Sequence, residues 1–111
     1  MATKEAVIDL QEFRTPKSKV FIGRPRGKTV RIGSRIDEIE AEYERIVISI
    51  PEDISSINPS FLEEFLENVV IKLGEEKFRE KFIFNNPGRY KVDDDVTEAI
   101  ERILREENAL A

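Results

Sequence analysis

IVISIPEDISSINPSFLEEFLENVVIKL, from Ile46 to Leu73, decides the fold. Its opening run, Ile46 to Ile50, predicts a strand too apolar to leave a face in water, hence a central one. A Ser/Asn/Pro-rich loop follows and opens directly onto a helix. Phe61, Leu62, Phe65, Leu66, Val69, Val70 and Leu73 form a wide apolar stripe on that helix, with Glu63, Glu64, Glu67 and Lys72 mostly opposite. Ordering about 13 residues at ~1–2 kcal/mol each offsets much of what burial of the stripe contributes, so the helix needs a sheet beneath it. Gly74 suits the position just past its end.

Upstream, EAVIDL (Glu5 to Leu10) and KVFIG (Lys19 to Gly23) predict strands, the first rich in β-branched residues. RPRGK, Arg24 to Lys28, holds Pro25 and Gly27 and predicts a turn. Ile32, Ile36, Ile39 and Tyr43 recur at helical spacing, and Ser34 with Asp37 resembles an N-cap, predicting a helix over Ser34 to Arg45 with an extension back to Thr29. Downstream, Glu75 to Glu80 suggest one more helical turn and KFIFN (Lys81 to Asn85) a last strand. Asn86-Pro87-Gly88 suits a type II turn, and Val96 to Glu107 carry one more apolar helical face, with fraying expected over Asn108 to Ala111. Strands alternating with helices predict an α/β fold: a single small layered domain over 1–111, its core about 5–107, with a mixed sheet of about four strands packed by helices and some parallel pairing.

The net charge of −5 is unevenly spread. The 14–35 segment carries Arg14, Lys17, Lys19, Arg24, Arg26, Lys28, Arg31 and Arg35 with no acid between them, whereas 36–111 holds nine basic and twenty acidic residues. Either the basic segment lies against the acidic remainder, or it is a patch for phosphate, nucleic acid or an acidic partner. Arg24 and Arg26, flanking Pro25, form a candidate anion-binding pair because two guanidinium forks on a stiff turn suit bidentate recognition. With no histidine and no cysteine, the commonest acid–base group, the thiol nucleophile and the usual zinc ligands are missing, and no enzyme is expected. Asp93-Asp94-Asp95 lacks the alternating ligands, glycine and distal glutamate of a calcium loop, so no metal or other cofactor is expected. No apolar stretch approaches the ~20 residues of a membrane helix, and the start of the chain lacks a signal-peptide pattern, so a cytoplasmic, membrane-free location is expected.

PSFLEEFLENVVIKLG resembles the signature of the STAS-like domain family of unknown function, found in bacteria and their mobile elements. Gly23, Arg24, Arg26 and Gly27 match its early Gly/Arg element, Ile46 to Ile50 its central strand, and Ser60-Phe61-Leu62-Glu63-Glu64-Phe65 its helix start, across roughly Val20 to Leu104. The wider STAS family includes anti-sigma factor antagonists, switched by phosphorylation of a serine in Asp-Ser-Ser-Gly-Leu-Gly. Here Ser60 matches the second serine, while Asn58, Pro59, Phe61 and Glu63 depart from the aspartate, first serine and two glycines. The resemblance implies a non-enzymatic regulatory module that docks a protein partner, a kinase-like ATPase or transcription regulator, through the 55–60 loop and the helix after it. Candidate partner-binding residues are Ser55, Ser56, Asn58, Ser60, Glu63 and Glu64, with Ser60 the candidate phosphoacceptor. The same residues also suit capping, with Asn58 as N-cap before Pro59, or Ser60 and Glu63 as a capping box. A nucleic-acid accessory role for 14–35 is the alternative.

Overall fold

Every ladder among the described residues is parallel, so each pair of bonded strands is joined by a crossover and not by a hairpin. The computed structural model describes residues 4–110. Strand β1 (Glu5–Asp9) runs into a short 3-10 turn, Leu10–Phe13. Then come β2 (Val20–Phe21), helices α1 (Arg24–Ser34) and α2 (Ile36–Glu42), β3 (Arg45–Ser49) and β4 (Ser56–Ile57). Helix α3 (Pro59–Lys81), β5 (Phe82–Asn85) and α4 (Asp93–Leu110) complete the order. The strands form a three-stranded sheet, β1-β3-β5, and a separate pair, β2-β4. The mixed sheet of four strands is thereby corrected: both sheets are wholly parallel, and β4 lies inside the segment expected to be loop.

Strand β3 is central as expected, but the expectation that neither of its faces meets water fails. Only one of its faces is deeply covered. Ile8, Ile46, Ile48 and Phe82 are buried, whereas the row Val7–Val47–Ile83, paired across the three strands, turns outward with Val7 61% and Ile83 41% exposed. A parallel sheet laid down in sequential order with right-handed crossovers carries its helices on one side. The molecule is accordingly a slab of 40 × 40 × 24 Å, with one apolar core uniting the sheet, α3 and α4. Its radius of gyration, 13.4 Å, is that of a single domain, for which chain length gives about 13 Å. Among the described residues no helix is long and apolar enough to cross a membrane.

The stripe on α3 is buried as expected: Phe61, Leu62, Phe65, Leu66, Val69 and Val70 all enter the core. Gly74, at φ 79°, breaks α3 where its end was expected, and helix resumes to Lys81. The corrections cluster upstream. RPRGK is the first turn of α1 and not a turn ahead of a later helix, because Pro25 sits where a helix needs no N–H. Its glycine answers a packing demand: a Cβ on Gly27 would run into the Phe61 carbonyl and lie 2.8 Å from Glu64 Cβ. Ser34 ends α1 and donates back to the Arg31 carbonyl, so it caps nothing. The left-handed Arg35 (φ 58°) separates α1 from α2 and breaks the phase of the expected stripe, leaving Ile32 exposed while Ile36 is buried. Gly88 is not among the positive-φ glycines, Gly23 and Gly74, so Asn86-Pro87-Gly88 is no type II turn. Helix α4 begins three residues earlier than expected, at Asp93, with the three aspartates in its first turn, where acids are favoured, and continues to Leu110 past the expected fraying point.

Candidate functional site

β2 and β4 pair in register, Val20 with Ser56 and Phe21 with Ile57, so α1 and α3 start side by side. Each helix carries a proline in its first turn. Between β4 and α3, Asn58 is the N-cap: its Oδ1 accepts from the Ser60 N–H at 2.8 Å and from the Ser60 hydroxyl at 2.7 Å. The Asn58–Pro59 arrangement therefore forms, and the Ser60–Glu63 capping box does not. The segment is pinned at both ends, by Ser55 N–H to the Lys19 carbonyl (2.7 Å) and Asn58 N–H to the Phe21 carbonyl (2.9 Å). Ser55, Ser56 and Asn58 stand exposed between and beside these anchors, and Ser60 is half-buried.

Glu63 and Glu64, expected to face a partner, turn inward. Glu63 is 3% exposed and held by Arg24 of α1 and Arg102 of α4, each at 3.3 Å. Its carboxylate thus ties three helices together, and a buried charge is tolerated only when so paired. Glu64 is half-buried beside Arg31, whose guanidinium donates to the Glu64 carbonyl at 2.7 Å and lies 3.5 Å from Glu67. Arg24 therefore serves Glu63, and Arg26 donates to the Thr15 hydroxyl; the two do not converge as an anion fork. Much of the basic segment is neutralised within the chain: Arg14 makes a bidentate bond to Asp53 at 2.7 and 3.1 Å, and Arg35 pairs with Glu38. The Asp53 carboxyl is held below its ordinary value by the hydrogen-bonded Arg14 guanidinium.

Two features escape reading from sequence. Glu40, in the acid-rich helix α2, is 3% exposed, and Lys72 and Lys81 approach it at 2.7 Å each. Burial pushes its carboxyl up, but the two ammonium groups outweigh that and leave it below its ordinary value. Nothing in IDEIEAE marks the middle glutamate as different, since its partners lie thirty and more residues away. The second feature is an open cleft of about 1180 Å³ between the loops that follow β3 and β5, lined by Glu52, Asp53, Ser55, Arg89, Tyr90 and Lys91 among others. The GRYK run just after the last strand was its visible trace. The Tyr90 hydroxyl lies against the Asp95 carboxylate and 3.1 Å from the Ile57 carbonyl; burial, then Asp95, pushes the phenol well above its ordinary value.

Among the described residues no group of three or more acidic side chains is placed to hold a metal ion. No family model, curated protein or solved structure matches this chain.

Proposed function

We propose that this chain is a STAS-like regulatory module, without catalytic activity, that docks a protein partner in the cytoplasm through Ser55, Ser56 and Asn58 at the head of α3. The observation that carries the reading is the pinned segment: three exposed polar side chains on a backbone anchored at Ser55 and Asn58 to the Lys19 and Phe21 carbonyls, just before and at β2. A docking surface of this kind loses little conformational entropy on binding, because its backbone is already ordered. Glu63 and Glu64 are not part of it; they serve helix packing. The partner class follows the resemblance, a kinase-like ATPase or a transcription regulator. Modification of Ser60 would replace its bond to Asn58 with a dianion at the N-terminal end of α3, where helix dipole and free N–H groups favour negative charge.

Affinity capture from the source cell tests this directly. The Ser55→Arg/Ser56→Arg variant, folded by circular dichroism, is expected to lose a protein that the unaltered chain retains. Retention of every captured protein by the variant would sink the docking reading. Binding of the unaltered chain to duplex DNA or RNA at low salt, lost steeply as salt rises, would favour the nucleic-acid alternative instead.

A further inference from the structure

The strand-end cleft has a charge pattern that the docking reading leaves unused. The cleft lies beyond the carboxyl ends of β3 and β5, between the loops that follow them. Its walls are built and not accidental. Gly88 packs so tightly on the other loop that a Cβ there would run into the Glu52 carbonyl, and the Tyr90 hydroxyl is fixed between Ile57 and Asp95. Three cations line the space: Lys19 from one side, Arg89 and Lys91 from the other. None of the three takes part in any of the ion pairs among the described residues. Of the two lining acids, Asp53 is bonded to Arg14 and also lies in the field of Lys19, so three cations face Glu52 and an Asp53 shared with Arg14. In a chain of net charge −5, that is a local excess of positive charge inside a formed cleft.

We propose that this cleft binds a phosphorylated small molecule of nucleotide size, held by Lys19, Arg89 and Lys91. A planar guanidinium fork with two mobile point charges suits the several oxygens of a phosphoanhydride. At about 1180 Å³ the open space exceeds the ~300–1,000 Å³ usual for small-ligand sites, so a nucleoside diphosphate fits with room for water. Tyr90 and Pro87 supply the less polar wall against which a base or sugar rests.

Titration calorimetry of the full chain with ADP, pyrophosphate and citrate tests the assignment. ADP is expected to bind with Kd in the range of about 0.01–1 mM, weakening as salt is raised. Arg89→Gln/Lys91→Gln is expected to lower that affinity about tenfold or more, as two charge-assisted contacts are lost. Lys19→Gln, from the opposite wall, gives an independent loss should the double variant prove unstable. Lys28→Gln, an exposed cation of α1 away from the cleft, is expected to leave binding unchanged. Absence of ADP and pyrophosphate binding at several millimolar overturns the proposal. So does equal weakening by Lys28→Gln, which would mean diffuse surface charge, or tighter binding of citrate than of pyrophosphate, which would mean a carboxylate site.

Discussion

Glu40 shows how much a single buried acid does here. It lies on α2, yet both of its partners come from α3, and Lys81 also donates to the Glu40 backbone carbonyl at 2.6 Å. The carboxylate is therefore the main polar tie between a seven-residue helix and the rest of the molecule. Glu40→Gln keeps the shape but removes the charge. Lys72 is largely solvated and can return to water, while Lys81 is more enclosed. The expected cost is about 1–2 kcal/mol, below the ~3–5 kcal/mol for a fully buried broken pair, read from urea unfolding at neutral pH. Gly27 makes the opposite kind of demand. Alanine is intrinsically better than glycine in a helix by about 1 kcal/mol. Here, however, its methyl group meets a backbone carbonyl of α3 that cannot step aside. Gly27→Ala is expected to destabilise by about 1–3 kcal/mol net, the usual range for overpacking. A Gly27→Ala chain that unfolds at higher urea than the parent would show that α1 and α3 are not in close contact there.

At the scale of elements, the one-sided larger sheet makes a paired prediction. Phe65 lies fully buried on α3, while Val7 lies on the outward row of that sheet. Phe65→Ala is expected to cost about 3–5 kcal/mol, and Val7→Thr to stay within about 0.5 kcal/mol. Comparable losses at both sites, measured by the same unfolding midpoints, would mean that a second layer covers the sheet. The inward side of this arrangement was legible from residues alone. The spacing of Phe61 to Val70 is a helical stripe whatever it packs against, and IVISI marks a central strand. The outward side was not legible, because apolar content reports that a strand is buried somewhere, not on how many faces. Val7 and Ile83 look like core residues until sequential strand order puts the helices on the other side. RPRGK misled for a related reason: Pro and Gly mark turns on average, but here Pro25 begins a helix and Gly27 lets another helix approach. The candidate site divides the same way. Asn58 as a cap is a local matter and was visible, whereas Glu63 faces arginines 39 residues away on either side, and no local pattern carries such a contact.

For the molecule as a whole, these ties set how stability depends on pH. The Glu40 and Asp53 carboxyls are both held below their ordinary values, so the folded chain takes up those protons later than the unfolded chain as pH falls. Their contribution is complete above the ordinary carboxyl range of about pH 4 and is lost as pH falls through the lower folded values. Tyr90 works in the other direction. Its phenol is pushed up, first by burial and then by Asp95, so the unfolded chain ionises before the folded one as pH rises. The Tyr90 contribution is complete below about pH 10 and is lost as pH rises from there toward the folded value. Stability should therefore form a dome with assignable shoulders. Tyr90→Phe is expected to cost about 1–2 kcal/mol at neutral pH, through loss of its hydroxyl's bonds to Asp95 and Ile57. The same variant should fall less steeply than the parent above about pH 10, so the gap between them narrows there. Glu40→Gln should leave that alkaline shoulder unchanged and flatten the acid one, because it removes one of the two depressed carboxyls. Urea midpoints across the range separate the two limbs. An alkaline limb equally steep with and without the Tyr90 hydroxyl would mean that the phenol is not enclosed, and the wall it gives the strand-end cleft would be loose as well.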